Sequence, residues 1–353
     1  MSASKLASNP VLTQRLARRW SQAELAERVG ISRAAVSAIE GERLSPSVAT
    51  ALSLAAVFEC SVEELFGRGG TAKAHGPEWA WTPRGQCSRY WEAEVGHRRL
   101  LYPFEAVSQN PIPHDGISEG GVCREREPAP AGQTLTLATC DPAAGLLAAE
   151  YARMTGFRLL VFPRSGSAAL ELLQHRLVHL AALHRSTSKD PNRNLATVRE
   201  RLGEKFQVLR AAEWEAGVAL PPENTCRQLS SVARQTECWA AREAGSGARE
   251  CLDELLEGRR FSGREVGGHA SVAEAVRSGW AGAGVCVRFS AEEAGLNFVP
   301  VRMESLDLCF PTRAQHDPRI QALVRVLRSR SYRRLLSELP GYNARETGEM
   351  FVP

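Results

Sequence analysis

The 353-residue sequence has no run approaching the roughly eighteen uncharged apolar residues a membrane helix needs, which excludes a helical membrane span. Met1 to Pro10 lacks an apolar core of signal-peptide length, so the expected location is cytoplasmic, without export. None of the nine cysteines forms a C-x-x-C pair, and Cys226, Cys238 and Cys251 are too irregularly spaced for a metal module without histidine support. A reducing compartment fits this usage better than a disulfide framework or a zinc module, and neither metal nor cofactor is expected. The Gly-x-x-x-x-Gly-Lys phosphate loop and His-Glu-x-x-His are missing as well. Lysine is scarce beside arginine, a bias that decides nothing functional. Charge of one sign is also lacking: 44 basic against 40 acidic side chains leave +4, too mild to announce nucleic-acid binding. What remains, 43% hydrophobic and 24% charged, is ordinary for a folded chain of two or three domains.

The first 68 residues carry short, well-punctuated helical patterns. Ser21 stands three residues before Glu24, a capping box that satisfies free amides at a helix start. Leu25, Ala26 and Val29 give that helix one apolar face, and Gly30 stops it. Ser32 can cap a second helix over Arg33–Glu40, with Val36 and Ile39 inward. Ser45-Pro46 predicts a further helix with proline in its first turn, and Ser61-Val62-Glu63-Glu64 repeats the capping box. The reading is an all-α bundle of about five short helices. Within it, Ala26 allows two helices to cross closely, Gly30 permits a tight turn, and Ile31, Val36 and Ile39 seat the second helix, the requirements of a helix-turn-helix.

Residues 12–66 resemble the lambda-repressor and Cro-like (XRE) DNA-binding family, on the motif running from Ser21-Gln22-Ala23-Glu24-Leu25-Ala26 through Val36-Ser37-Ala38-Ile39-Glu40-Gly41. The resemblance implies double-stranded DNA as partner. Gln22 would bond a phosphate, and Ser32, Arg33, Ala34, Ala35 and Ser37 would lie on the helix entering the major groove. Arg33 would read a guanine edge with its forked donors, and Arg43 would touch backbone. Residues 1–45 hold seven basic and four acidic groups, a modest surplus, so a homodimer on a two-part site is expected.

Residues 69–133 read as a connector rich in Trp, Pro and Gly, with some strand content and packed on a neighbour, since Trp79, Trp81 and Trp91 argue against a bare linker. From Thr134 the pattern alternates: strand 134–139, a helix opened by Asp141-Pro142, strand 157–162, Ser165-Gly166-Ser167 before helix 168–177, and strand 179–183. A second unit starts near Glu237, with Gly245-Ser246-Gly247 before a helix through Leu256. Helix 272–278, strand 284–288, strands over 298–310 and helices 320–327 and 332–339 follow. Such alternation indicates parallel α/β units, two lobes facing a cleft over 134–353, with the second lobe near 213–299.

Helix amino ends expose unpaired amides, so the two glycine-serine loops, one per lobe, can hold an anion. The ligand candidates are Asp141, Arg164, Ser165, Ser167, His184, Arg242, Gly245, Ser246, Gly247 and Arg249: arginines for charge-assisted bonds, serines for hydroxyl donors, glycines for close backbone approach. Asp141 has a competing role as a helix cap, and His184 as a surface histidine. The region resembles periplasmic-binding-protein-like domains of type II-like fold, including the molybdate-binding type, that are fused to DNA-binding modules in cytoplasmic regulators. The carrying residues are Thr136 to Asp141, Arg242-Glu243 with Gly245 to Arg249, Ala273 to Val276, Gly279 to Val285 and Gly341-Tyr342. The resemblance implies a small solute, an oxyanion such as molybdate or an organic acid.

Catalysis is not expected. Cys140 with His184 suggests a thiol and its base, but nothing in the spacing demands it, and strand-end cysteines are commonly buried structural residues. Gly116-Ile117-Ser118-Glu119-Gly120 matches a nucleophile elbow by letter, without the flanking strand and helix. The reading is a ligand-responsive transcription regulator. Its alternatives are a DNA-binding protein whose C-terminal domain serves association without a ligand, and a solute-modifying enzyme.

Overall fold

The computed structural model describes residues 9–41, 43–60, 62–66, 78–85, 87–105, 113–126, 131–260 and 262–351. It divides into two compact units, Met1–Gly76 and Pro77–Pro353. Among the described residues no helix is long and apolar enough to cross a membrane.

The described residues of the first unit form five helices: α1 (Pro10–Ala17), α2 (Gln22–Val29), α3 (Arg33–Glu40), α4 (Val48–Phe58) and α5 (Val62–Phe66). The capping box forms: Ser21 Oγ accepts from the Glu24 amide at 3.1 Å, and the Ser21 amide donates to Glu24 at 2.6 Å. Gly30 ends α2 at φ +74°, a left-handed turn that any Cβ would strain. Val11, Leu25, Ala26, Val36, Ile39, Leu54, Ala55, Phe58 and Leu65 form one core. The start of α4 corrects the expectation: Ser47, not Ser45, caps it, accepting from the Thr50 amide at 3.2 Å, so Pro46 lies before the first turn. Only Ser47 stands three residues ahead of that free amide. The second capping box depends on Ser61, outside the described residues.

The second unit opens within the expected connector. Here β1 (Glu78–Trp79), β2 (Cys87–Val95), β3 (Arg98–Pro103), β4 (Gly116–Glu119) and β5 (Val122–Glu125) form a sheet in the order β1-β3-β2-β4-β5. Ser118 sits within the β4–β5 hairpin, with no helix after it. Trp91, Ala93, Leu100 and Tyr102 pack on Leu160 and Phe162 of the following domain. Arg158 clamps Asp115 through two 2.7 Å bonds, fixing this small sheet to its neighbour.

The α/β elements follow in order: β6 (Thr134–Thr139), α6 (Ala144–Thr155), β7 (Arg158–Pro163), α7 (Gly166–Gln174), β8 (Leu180–Thr187), α8 (Arg193–Leu202) and β9 (Phe206–Leu220). Next come α9 (Leu229–Gln235), β10 (Trp239–Ala241), α10 (Gly247–Leu255), β11 (Gly263–Glu265), α11 (His269–Arg277), β12 (Ala283–Val287), α12 (Arg288–Glu293) and β13 (Asn297–Pro311). The chain closes with α13 (Pro318–Arg328), α14 (Arg330–Ser337), β14 (Tyr342–Asn343) and β15 (Met350–Phe351).

The sheet path β11-β10-β12-β9-β13-β8-β6-β7 repeats one order from each end. In each lobe the second strand lies outermost, then the first, the third, and the strand crossing from the other lobe. This is the α/β two-lobed arrangement expected, joined by β9 and β13. Those two strands run antiparallel from Phe206 opposite Pro311 to Leu220 opposite Asn297, with register shifts at Pro300/Arg302 and Leu306/Asp307 that bend the crossing. The strand pattern over 298–310 is one continuous element. Strand β9 was not anticipated, because Phe206–Leu220 is rich in Ala, Glu, Arg and Leu, good helix formers. Pairing on both edges and burial override that local preference.

Candidate functional site

In the first unit, α3 presents Arg33 and Ala34 exposed, with Ala35 and Ser37 half-buried beside them. Ser32 caps the helix, accepting from the Ala35 amide at 3.1 Å, which occupies its oxygen. Gln22, half-buried, is anchored: its amide nitrogen donates to Glu40 at 2.8 Å. Glu40, buried, also takes Arg15 Nε at 2.5 Å. Arg43 is exposed and lies against Ser37. The expected DNA-contacting residues thus lie at the start of α2, before and on α3, and in the loop after it, none of them buried.

In the second unit a cavity of about 380 Å³ opens between the lobes. One wall is Cys140, Pro163, Arg164, Ser165 and Ala168, from the ends of β6 and β7 and the start of α7; the other is Arg242, Glu243 and Glu265 through Gly268, from the ends of β10 and β11. This is where helix amino ends in an open α/β sheet converge. Among the described residues no side chain caps the first amides of α7 or of α11, whose preceding residues Ser165 and Gly268 line the cavity.

Three of the expected ligand residues line this space. Arg242 is only 3% exposed, its Nε and one terminal nitrogen held by Glu243, while Nη1 has no partner among the described residues. Arg164 is paired with Glu105 at 2.6 Å and stacks over Trp81. Ser165 lines the opposite wall from Glu243. Burial opposes the charge on Glu243, but Arg242 and Ser165 outweigh it and hold the carboxyl below its ordinary range. The other seven lie around the rim or beneath. Ser167 donates to the Gly245 carbonyl at 3.1 Å, an interlobe contact, and Gly247 packs against His184. Ser246 caps α10, and Arg249 pairs with Asp253 at 2.9 Å. Asp141 accepts from Ala143 N at 2.9 Å and Tyr342 Oη at 2.5 Å, closing the turn before α6.

Beneath the cavity, His184 is buried rather than on the surface. Its Nδ1 lies 2.7 Å from Glu304, which also accepts from Trp214 Nε1 at 3.1 Å and from Arg302 at 2.8 Å. Burial alone would keep His184 neutral; Cys140 and Glu304 outweigh it and bring it up to about 10. His269 stands 5.7 Å from His184, ring centre to ring centre, and burial, then Arg242 and His184, holds it well below the usual histidine value.

Glu243, His269, Glu304 and Trp214 were not among the expected site residues. Gly267-Gly268 before α11 was the one usable signal, since it is a glycine pair opening a helix like the loops that were noticed. Glu304 and Trp214 face each other across the crossing strands, a pairing with no local mark.

A model described as Helix-turn-helix matches residues 12–65, and one described as PBP superfamily domain matches residues 148–328. An uncharacterized Bacillus subtilis (strain 168) protein, YvgK, is 31% identical over 118 residues, covering 31% of this chain and 38% of that protein. This chain therefore spans well under half the length of that relative. Among solved structures, an ABC-type phosphate transport receptor from Vibrio cholerae is 14% identical with a TM-score of 0.43, covering 59% of this chain and 99% of that one. PhnD1 from Prochlorococcus marinus (MIT 9301), in complex with methylphosphonate, is 10% identical with a TM-score of 0.42, covering 63% and 93%. The chain carries an N-terminal helix-turn-helix, and through the two-lobed domain that follows it belongs to the PBP superfamily.

Proposed function

We propose that this protein is a cytoplasmic transcription regulator, not an enzyme, that binds double-stranded DNA through α2 and α3 and an anionic solute between its lobes. The observation that carries the solute reading is Arg242: a buried guanidinium with one nitrogen unpartnered among the described residues, beside two helix starts that none of their side chains caps. A tetrahedral oxyanion such as molybdate, or a carboxylate, would supply the missing acceptors. Binding would draw the lobes together about β9 and β13. DNA and solute would then alter each other's affinity by the same factor.

Leu44, Val48 and Leu52 are exposed apolar side chains on and before α4, suited to a second copy in a homodimer. Thermal-shift titration with molybdate, phosphate and organic acids tests the sensor: a true ligand raises the melting temperature with concentration, and Arg242→Ala abolishes the rise. No shift from any anion retires the solute reading. For DNA, Arg33→Ala should cost about 1–3 kcal/mol on the cognate site and less on random sequence; equal loss on both would reduce Arg33 to a phosphate contact.

Glu243 favours a second reading. Its carboxylate already takes Arg242 and faces Ser165 across the cavity, so the domain could stay closed on its own side chain and serve association alone. In that case Glu243→Gln would change neither anion binding nor the oligomer.

A further inference from the structure

We propose that Cys140, His184 and His269 bind one zinc-type transition-metal ion, with the fourth coordination position open toward the interlobe cavity. The proposal goes beyond solute sensing and departs from the expectation, drawn from cysteine spacing, that the chain holds no metal. Cys140 follows β6, His184 lies within β8 and His269 is the first residue of α11, so two ligands come from one lobe and one from the other. One candidate ligand atom from each lies within 4.8 Å of the other two. A tetrahedral ion with Zn–S near 2.3 Å and Zn–N near 2.0 Å sets such atoms about 3.5 Å apart, so a contraction of about 1 Å completes the site.

The second observation is His269 itself. It is 2% exposed, yet neither ring nitrogen has a partner among the described residues. A buried polar group left unpaired costs about 1–3 kcal/mol, and a metal bond at one nitrogen offsets that cost. His184 is already oriented for ligation: Nδ1 faces Glu304, which leaves Nε2 for the ion in a carboxylate–histidine–metal arrangement. Trp214 packs against both imidazoles and donates to the same carboxylate, fixing it.

One thiolate and two imidazoles suit zinc, and carboxylate-seeking hard ions poorly. Cys140 would bind as thiolate and His184 through Nε2 after losing the proton that nitrogen carries, the displaced protons passing to solvent. Because Cys140 also lines the cavity, the open position is reachable from it. An ion held this way would pin α11 to β6 and β8 and so set how far the lobes separate.

The test uses the full-length, reduced protein stripped by a chelator. Cobalt(II) titration should give a thiolate charge-transfer band saturating at one equivalent, and Zn²⁺ should displace the cobalt and raise the melting temperature. Cys140→Ser should abolish the band, and His269→Gln should weaken affinity about tenfold or more; both should keep the wild-type circular dichroism and DNA binding. Cys226→Ser should change nothing. A band that survives in Cys140→Ser, or no stoichiometric uptake by the folded protein, overturns the proposal. Anion titration of the metal-free protein is read separately, so either idea can fail alone.

Discussion

The imidazole of His184, on one lobe's third strand, meets Glu304, on a strand that serves both lobes, at 2.7 Å and in near-complete burial. Glu304 is a shared acceptor, taking Arg302 on one oxygen and His184 with Trp214 on the other. A charged group so placed is held by its partners more than it stabilises the fold on balance.

Glu304→Ala should therefore cost about 3–5 kcal/mol, because it strands Arg302 and His184 together. Glu304→Gln should cost less, since it keeps a carbonyl acceptor. Urea unfolding followed by tryptophan fluorescence reads both variants, and an equal small loss would mean the carboxylate is dispensable.

In the first unit Arg15 and Glu40 play the matching role. Arg15→Ala leaves Glu40 buried with Gln22 as its remaining side-chain partner and should destabilise the helical unit by about 3–5 kcal/mol. DNA binding should weaken with it, since Gln22 and the end of α3 are organised around that carboxylate. Differential scanning calorimetry should show the helical transition shifted down while the α/β transition stays in place.

His179 supplies a pH dependence. Its Nδ1 accepts from the Thr136 amide at 3.1 Å and its Nε2–H donates to the Glu94 carbonyl at 2.7 Å, so the folded protein has no place for a second proton. Burial first, then Arg319, holds it down to about 3, with the Glu94 carbonyl and Asp317 pulling weakly the other way. Below about pH 6.5 the unfolded chain takes up a proton that the folded one refuses. Stability is thus full above that pH and falls as pH drops toward 3, by up to about 1.4 kcal/mol per pH unit from this group. Comparing urea midpoints of wild type and His179→Asn between about pH 6.5 and pH 4 isolates it. Parallel curves would show that His179 does not titrate as described.

Gly247→Ala should open the contact between α10 and β8. The added methyl would fall 2.6 Å from His184 Cε1 and 2.9 Å from its carbonyl, and backbone cannot yield cheaply. A loss of about 1–3 kcal/mol is expected in thermal melts. An unchanged melting temperature would show that the lobes separate freely at this point.

Local chemistry made much of the architecture legible. Ser21, Gly30 and Ser32 each act on amides within three or four residues, so the helix-turn-helix could be read from letters alone. The same holds for Ser246, which caps α10, and for Ser165, which precedes α7 with no side-chain cap bond. Legibility failed wherever the deciding partner was distant. Ser47 displaced Ser45 as a cap by a geometric margin of two residues. Strand β9 was hidden because its helix-forming composition is overruled by pairing along both edges. In the second lobe the cavity keeps the expected Arg242 but has Glu243 and Gly268 in place of Gly245-Ser246-Gly247, since Ser246 uses its hydroxyl on its own helix.

By itself, then, the order of residues determined the five-helix unit, the alternating strands and helices, and the glycine and serine corners between them, because capping, turn and periodicity forces act over a few residues. Only the tertiary structure decided that Cys140, His184 and His269 come together, with Glu304 against His184. Their meeting depends on two fifteen-residue strands crossing between the lobes with a shifted register, and no force acting along the chain carries information over that distance.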